Sequence, residues 1–149
     1  MTAATERPDP PAGDAYDWFR RGCALLDGGN PAAAAHLLAW AAAEEPTAHS
    51  IREALARALF DARRFGEAAR EFEVLIDLAP DDDYARFGLG MSLWRLRQFP
   101  RAADHLAMAV AMRPDRPEYA AALRQVRATL AAREEAGLDR VGRPDERLS

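Results

Sequence analysis

The sequence has a single cysteine, no lysine and no long apolar run. With only Cys23 in 149 residues, an intramolecular disulfide is excluded and a reducing compartment is favoured. All 20 basic residues are arginine, which we interpret as GC-rich coding and as an indication of a bacterial source. No apolar stretch approaches about 18 residues, and the N-terminus lacks the apolar run of a signal peptide. We therefore expect a cytoplasmic protein without a membrane partner.

The charge balance is acidic, with a formal net charge of −4 and a sequence pI of about 5.4. A negative chain has no electrostatic attraction to a phosphate backbone, so we predict no nucleic-acid partner. Hydrophobic residues make up 49% and charged residues 30% of the sequence, which suffices for one soluble domain with a buried core.

Three prolines, Pro46, Pro80 and Pro114, follow one another at a constant interval, and each comes at the end of an alanine- and leucine-rich run. Other residues keep the same interval: small at Gly22, Ala56 and Gly90, and large and apolar at Leu25, Leu59 and Leu93. A fixed period of this length, about 34 residues, indicates stacked helical repeats.

This pattern resembles the tetratricopeptide repeat family, most closely in the segment Arg64-Phe65-Gly66-Glu67-Ala68. Where the family prefers an aromatic residue near the start of the first helix, this chain has Arg52 and Arg86. The resemblance implies an all-α fold, a right-handed superhelical stack of three helix-turn-helix repeats with a terminal capping helix.

The domain boundaries follow from the prolines and from composition. We predict a disordered tail at 1–14, repeats at 15–48, 49–82 and 83–116, a capping helix at 117–136 and a second disordered tail at 137–149. The predicted helices lie near 15–28, 31–45, 49–62, 65–79, 83–96, 99–113 and 117–136. Asn30 is the predicted N-cap of the second helix.

Residues with catalytic or metal-binding spacing are missing. The sequence has no nucleophile elbow, no phosphate-binding loop and no Cys or His pair with zinc spacing. The triplet 81–83 lacks the other ligands of a calcium loop, so we interpret it as a turn with a helix N-cap. Cys23 follows Arg20 by one turn, which would favour thiolate, but a small apolar filler is the preferred interpretation. We predict neither an enzyme, nor a metal site, nor a cofactor.

What the resemblance implies is binding, because the first helices of the family's repeats line a concave groove that receives a peptide or helix of another protein. The groove positions implied here are Tyr16, Phe19, Arg20, Cys23, Glu53, Arg57, Phe60, Tyr84, Phe87, Met91 and Trp94. We expect a partner segment that is apolar in part. Some of these aromatic residues would instead pack between repeats.

One branch of the family clamps the C-terminal carboxylate of heat-shock chaperones with Lys, Arg and Asn side chains. The matching positions here are Phe19, Cys23, Ala54, Tyr84 and Gly88, none of which can form a charged clamp. The resemblance therefore does not extend to that branch, although Arg20 and Arg57 could hold an acidic group of a partner.

An outer stripe supplies an alternative. Trp40, Val74 and Met108 share one repeat position, where the family usually carries a polar residue. Core packing explains such a stripe, and so does a self-association surface or a second partner surface. Two hypotheses thus remain: an adaptor or chaperone-like module that binds a partner in its groove, and a structural subunit or homo-oligomer whose groove is occupied by its own tail.

Overall fold

The computed structural model describes residues 8–137, and all regular structure in that range is α-helical. The helices are α1 Ala15–Asp27, α2 Pro31–Glu44, α3 His49–Asp61, α4 Phe65–Leu78, α5 Asp83–Arg95, α6 Phe99–Met112 and α7 Pro117–Glu135. Every predicted helix is present, and each ends one residue before its predicted end. The predicted all-α repeat fold is confirmed.

The chain divides into two compact units, residues 1–71 and 72–149, with the boundary inside α4. In the first unit, α1 and α2 approach closely because Gly22 has no side chain. A Cβ atom at Gly22 would lie 2.6 Å from Leu38 Cγ. Trp18 is buried in this unit, and its ring centroid lies 6.0 Å from that of Trp40.

The residues just before α1 are hydrogen-bonded to side chains of α1. The indole nitrogen of Trp18 donates to the carbonyl oxygens of Pro11 and Ala12, both at 3.2 Å, and Arg21 donates to Ala12 at 3.1 Å. Asp14 caps α1 by accepting from the backbone N–H of Asp17. The prediction of a disordered tail as far as residue 14 is therefore wrong for its last residues, because polar groups of α1 anchor their backbone. Residues 1–7 of that tail, and the second tail beyond Gly137, lie outside the described residues.

A left-handed residue ends the first helix of each repeat. Gly29, Arg63 and Arg97 have φ values of 81°, 62° and 63°, and they occupy the same position in successive repeats. At each of them the next residue donates from its backbone N–H to a carbonyl five residues earlier, as from Arg64 to Leu59 at 2.9 Å. This is the Schellman termination of a helix. Glycine indicates such an ending at residue 29, whereas the two arginines carry no such indication.

Two of the predicted N-caps behave differently. Asn30 occupies the N-cap position of α2, yet its side chain makes no capping hydrogen bond, so the prediction holds for its place and not for its bond. Asp82, in the acidic triplet, accepts from the backbone N–H of Ala85 at 2.9 Å. The carboxylate thus satisfies an N–H group at the start of α5, as expected of an N-cap.

In the second unit, α5 packs against α6, and α6 against α7. Glycine again permits the approach, since a Cβ at Gly90 would lie 2.7 Å from Leu106 Cγ. Helix α7 buries Tyr119, Leu123 and Val126, whose spacings of four and three residues place them on one face of the helix. The hydroxyl of Tyr119 donates to Asp83 Oδ2 at 2.7 Å. Within the described range, each helix is too short or too polar to cross a membrane.

Candidate functional site

The predicted groove residues of α1 form an exposed aromatic and cationic surface. Tyr16 is 66% exposed, and the guanidinium carbon of Arg20 lies 5.7 Å from the centroid of its ring. Phe19 is half-buried beside them. An aromatic side chain this exposed contributes little to the core, so it is free to contact another molecule.

Cys23 lies one turn after Arg20 and is half-buried. Burial raises the pKa of its thiol, and the negative charge of Asp27 adds to that effect, while the charge of Arg57 opposes it. The thiol is therefore protonated at neutral pH and a weak nucleophile. This favours the filler interpretation of Cys23, and the cation that acts on the thiol is Arg57 on α3, where the sequence suggested Arg20.

On α3, Arg57 is exposed and Glu53, one turn earlier, is half-buried. Phe60 is half-buried as well, with its ring edge-to-face against Phe65 at a centroid distance of 5.1 Å. The predicted residues of α3 thus combine one exposed cation with an aromatic residue that also packs within the unit.

The predicted residues of α5 are more enclosed. Tyr84 packs edge-to-face against Phe72, with ring centroids 6.1 Å apart. Phe87 stacks on Tyr119 of α7 at 4.7 Å with an interplanar angle of 25°. Both rings have packing roles, as the sequence analysis allowed for some of the aromatic groove residues.

Met91 and Trp94 complete the predicted α5 surface, and both are half-buried. The ring of Trp94 meets Phe99 edge-to-face at 5.1 Å. Each therefore keeps part of its surface accessible, so the accessible share of this face is aromatic and sulfur-containing.

The members of the predicted outer stripe differ in exposure. Trp40 is half-buried and tilted against Trp18, and Val74 is half-buried. Met108 is 44% exposed. Packing accounts for much of Trp40, whereas Met108 is available at the surface.

A cavity of about 300 Å³ opens on the second unit. It is lined by Glu73, Ile76, Asp77, Arg86, Leu89, Arg101 and His105. Burial lowers the pKa of His105, and the positive charges of Arg86 and Arg101 lower it further. The Nδ1 atom of His105 is buried and, within residues 8–137, has no hydrogen-bond partner. Sequence reasoning missed this grouping. The repeat interval nonetheless relates Arg86 and His105 to Arg52 and Glu71 of the preceding repeat.

These features define an all-α helical-repeat protein, in which turn geometry and close helix contacts recur from one repeat to the next. The chain belongs to the tetratricopeptide repeat family, whose model matches residues 19–83 and 53–117. Members of this family are in general non-enzymatic protein-interaction modules.

Solved structures share the fold. The first TPR of Spaghetti (RPAP3) bound to the HSP90 peptide SRMEEVD is 18% identical with a TM-score of 0.74, over 79% of this chain and 94% of that chain. MamA from Desulfovibrio magneticus RS-1 is 18% identical with a TM-score of 0.76, over 83% and 70%. The Arabidopsis OM64 TPR domain is 16% identical with a TM-score of 0.72, over 77% and 95%. No curated protein gives a significant match.

Proposed function

We propose that this chain is a non-enzymatic adaptor or chaperone-like module that binds a peptide or helical segment of a partner protein on the faces of its first helices. The exposure of Tyr16 beneath the Arg20 guanidinium carries the proposal. Exposed aromatic and arginine side chains are the residue types that contribute most to protein interfaces. A cytoplasmic location and a bacterial source, inferred from composition, belong to the same proposal.

The charges of the first unit indicate what such a segment carries. Within the described range, Arg52 and Arg64 form ion pairs with Glu71 and Glu67, whereas no ion pair involves Arg20 or Arg57. Phe19 offers apolar surface nearby. An acidic residue flanked by apolar residues fits this combination, because its carboxylate would meet an arginine while its neighbours cover the ring.

The HSP90 peptide of the Spaghetti (RPAP3) structure is not the partner that we propose. Two of the residues that match the family's charged clamp are Ala54 and Gly88, and both are small and buried. Gly88 cannot be replaced by a larger residue without overlap with the Phe72 ring. These positions therefore supply no side chain to a terminal carboxylate.

The first test concerns α1. The double variant Tyr16→Ala, Arg20→Ala should lose proteins that co-purify with the wild-type chain from a bacterial lysate, as measured by quantitative mass spectrometry. Loss of a central aromatic or arginine anchor commonly costs about 2 kcal/mol or more, roughly thirtyfold in affinity. Arg124→Ala, at an exposed position of α7, is the matched control. If the double variant retains every partner that the control retains, the α1 face is not the site.

The second test concerns α5. Trp94→Ala should weaken capture by a similar factor, with most of the helicity kept. Because the indole also contacts Phe99, circular dichroism must accompany the measurement. Loss of helicity would place Trp94 in the core and remove it from the proposed surface.

The alternative function, a structural subunit or homo-oligomer that assembles through the outer stripe with its groove self-occupied, has one observation in its favour. Met108 is 44% exposed on α6. Contact between this apolar side chain and water is unfavourable, so an interface that covers it would be stabilised. The oligomeric state of the chain distinguishes this alternative from the first proposal.

A further inference from the structure

The second repeat contains a well-formed arginine–carboxylate pair. Arg52 Nη1 donates to both carboxylate oxygens of Glu71, at 3.1 and 2.9 Å. Its Nε donates to the carbonyl oxygen of Pro46 at 2.9 Å. The two side chains are each 18% exposed, so the pair is largely sheltered from water. In this repeat, Glu71 thus supplies the negative charge that the sheltered Arg52 requires.

The third repeat has the arginine without the carboxylate. The residues that correspond to Arg52 and Glu71 one repeat later are Arg86 and His105. Both line the 300 Å³ cavity of the second unit. Between residues 8 and 137 no ion pair involves Arg86, which is itself half-buried. The cavity therefore holds an arginine at the position where the preceding repeat pairs one with a glutamate.

His105 is unsatisfied in the same cavity. Its Nδ1 is buried and has no hydrogen-bond partner among the described residues. Buried polar atoms are nearly always hydrogen-bonded, because an unpaired one forfeits its hydration without compensation. An arginine outside the ion pairs of residues 8–137 and a histidine with an unpartnered ring nitrogen thus line one cavity.

We propose that this cavity binds a carboxylate group, held by the guanidinium of Arg86 and by the imidazole of His105. The bound group takes the role that Glu71 has toward Arg52. The carboxylate comes either from a small free acid or from an Asp or Glu side chain of a partner. This site is separate from the first-helix faces of the proposed function.

Other charged groups of the cavity set its pH dependence. Helix α4 contributes Glu73 and Asp77, and α6 contributes Arg101 and Asp104. Glu73 lies 3.7 Å from Arg101, so these two charges largely offset each other. The carboxylate of Asp77 opposes an incoming anion, and a proton on His105 would compensate for it.

The reciprocal effect follows from linkage. The pKa of His105 is lowered because of burial, Arg86 and Arg101, so the ring is neutral at pH 7. A bound carboxylate favours the imidazolium and raises the pKa of His105. Binding therefore takes up a proton, and affinity increases as the pH falls through the pKa that His105 has in the bound state.

The test is an NMR pH titration of the His105 ring in the full chain with three additions at equal ionic strength: sodium chloride, sodium acetate and a blocked Gly-Glu-Gly peptide. A rise in the pKa of His105 with acetate supports the site and points to small acids. A rise with the peptide alone supports it and points to an acidic side chain. Equal titration curves in all three solutions would overturn the proposal.

Two variants make the test specific. Arg86→Gln should weaken carboxylate binding roughly tenfold or more, because it removes the charged donor, whereas His36→Gln, on exposed surface of α2, should leave it unchanged. His105→Glu should restore the pair of the second repeat, raise the thermal midpoint and abolish the stabilisation of the chain by acetate at pH 6. If His105→Glu is still stabilised by acetate as the wild type is, the carboxylate binds elsewhere and the assignment is wrong.

Discussion

Arg63 and Arg97 occupy backbone conformations that L-residues other than glycine, asparagine and aspartate rarely adopt. Their φ values of 62° and 63° match a position that Gly29 fills in the first repeat with φ 81°. The Cβ atom makes this conformation unfavourable by about 1–2 kcal/mol. The Schellman hydrogen bonds of the turns offset that cost, as from Arg97 N–H to the Trp94 carbonyl at 2.9 Å.

We therefore expect Arg63→Gly to stabilise the chain by about 0.5–1 kcal/mol, the left-handed cost less the extra entropy of glycine in the unfolded state. Urea unfolding followed by circular dichroism measures it. Arg97→Gly should gain less, because the guanidinium of Arg97 also lies 5.5 Å from the Phe99 ring centroid. A lower urea midpoint for Arg63→Gly would contradict this account of the turn.

Gly88 is constrained by packing. A Cβ at this position would overlap the ring of Phe72, which is 2% exposed and has no room to move away. We expect Gly88→Ala to destabilise the chain by about 1–3 kcal/mol through overpacking.

Gly66→Ala is the matched control, because nothing lies within 4 Å of its Cβ position. That substitution should leave stability unchanged or raise it by about 0.5 kcal/mol, given the better helix propensity of alanine. Thermal unfolding compares the two variants. Equal midpoints for both would show that the Phe72 ring adjusts at no cost.

At the scale of elements, α7 is placed as the first helix of a further repeat, but its surface is different. The positions that correspond to Gly90 and Leu93 one repeat later carry Arg124 and Arg127, both exposed. Helix α6 approaches α5 across Gly90. Another helix could not approach α7 in that way without burying two guanidinium groups. The two arginines therefore keep that side of α7 in water while its other side covers the second unit.

The covering side of α7 is fixed by Tyr119. Burial raises the pKa of this tyrosine, and its hydrogen bond to the Asp83 carboxylate raises it further, so the hydroxyl remains a donor at any physiological pH. The ring stacks on Phe87, and Arg116 lies 5.9 Å from its centroid. One side chain thus connects α7 to both the start and the middle of α5.

Truncation after Arg116 should therefore expose the apolar surface of α5 and α6 on which α7 packs. Removing the burial of Tyr119, Leu123 and Val126 costs about 5–9 kcal/mol at about 1.5–3 kcal/mol for each side chain. The thermal midpoint should fall by more than about 10 °C, and solubility should fall with it. A chain that ends at Gly137 is the control, since it keeps α7. If the shorter chain melted with the control and stayed soluble, α7 would not be a cap.

At the scale of the whole molecule, the repeat period predicted all seven helices because local signals mark their ends. The proline after each second helix and the small residues at close contacts are readable in sequence. Nothing in the sequence marks Arg63 and Arg97 as left-handed, since the turn overrides the conformational preference of an arginine. The sequence predicts Phe87 only as a groove residue. Its stacking on Tyr119 is a contact between residues that are far apart in sequence, and no local pattern indicates it.

The candidate sites show the same limit. Tyr16 and Arg20 were predicted from the family's pattern and are exposed as expected, although their role in binding stays a prediction. The sequence does not predict the cavity beside His105, because its interest lies in an unpartnered nitrogen. Only the folded structure shows which polar atoms lack a partner. The signal was nonetheless present: the period that aligns Arg52 with Arg86 also aligns Glu71 with His105.

The oligomeric state separates the two functions that the sequence left open. A stable homodimer buries about 800 Å² on each subunit, with an apolar centre. The large hydrophobic side chains exposed within residues 8–137 are Tyr16, Leu78, Leu96 and Met108, one at a time on different helices or their ends. Four such side chains are too few for the apolar centre of an interface with roughly 20–30 residues on each side, and a net charge of −4 adds a weak repulsion between copies.

We therefore expect the chain to sediment as a monomer from about 1 to 100 μM, because these four side chains cannot supply an interface of the standard size, about 800 Å² on each subunit. Met108→Glu should leave the sedimentation coefficient unchanged, because no interface depends on that methyl group. Gln125→Ala, exposed on α7, serves as a control for nonspecific effects of a surface change. A concentration-dependent dimer that Met108→Glu dissociates and Gln125→Ala does not would make the outer stripe an interface. The structural-subunit function would then replace the adaptor as the better account of this chain.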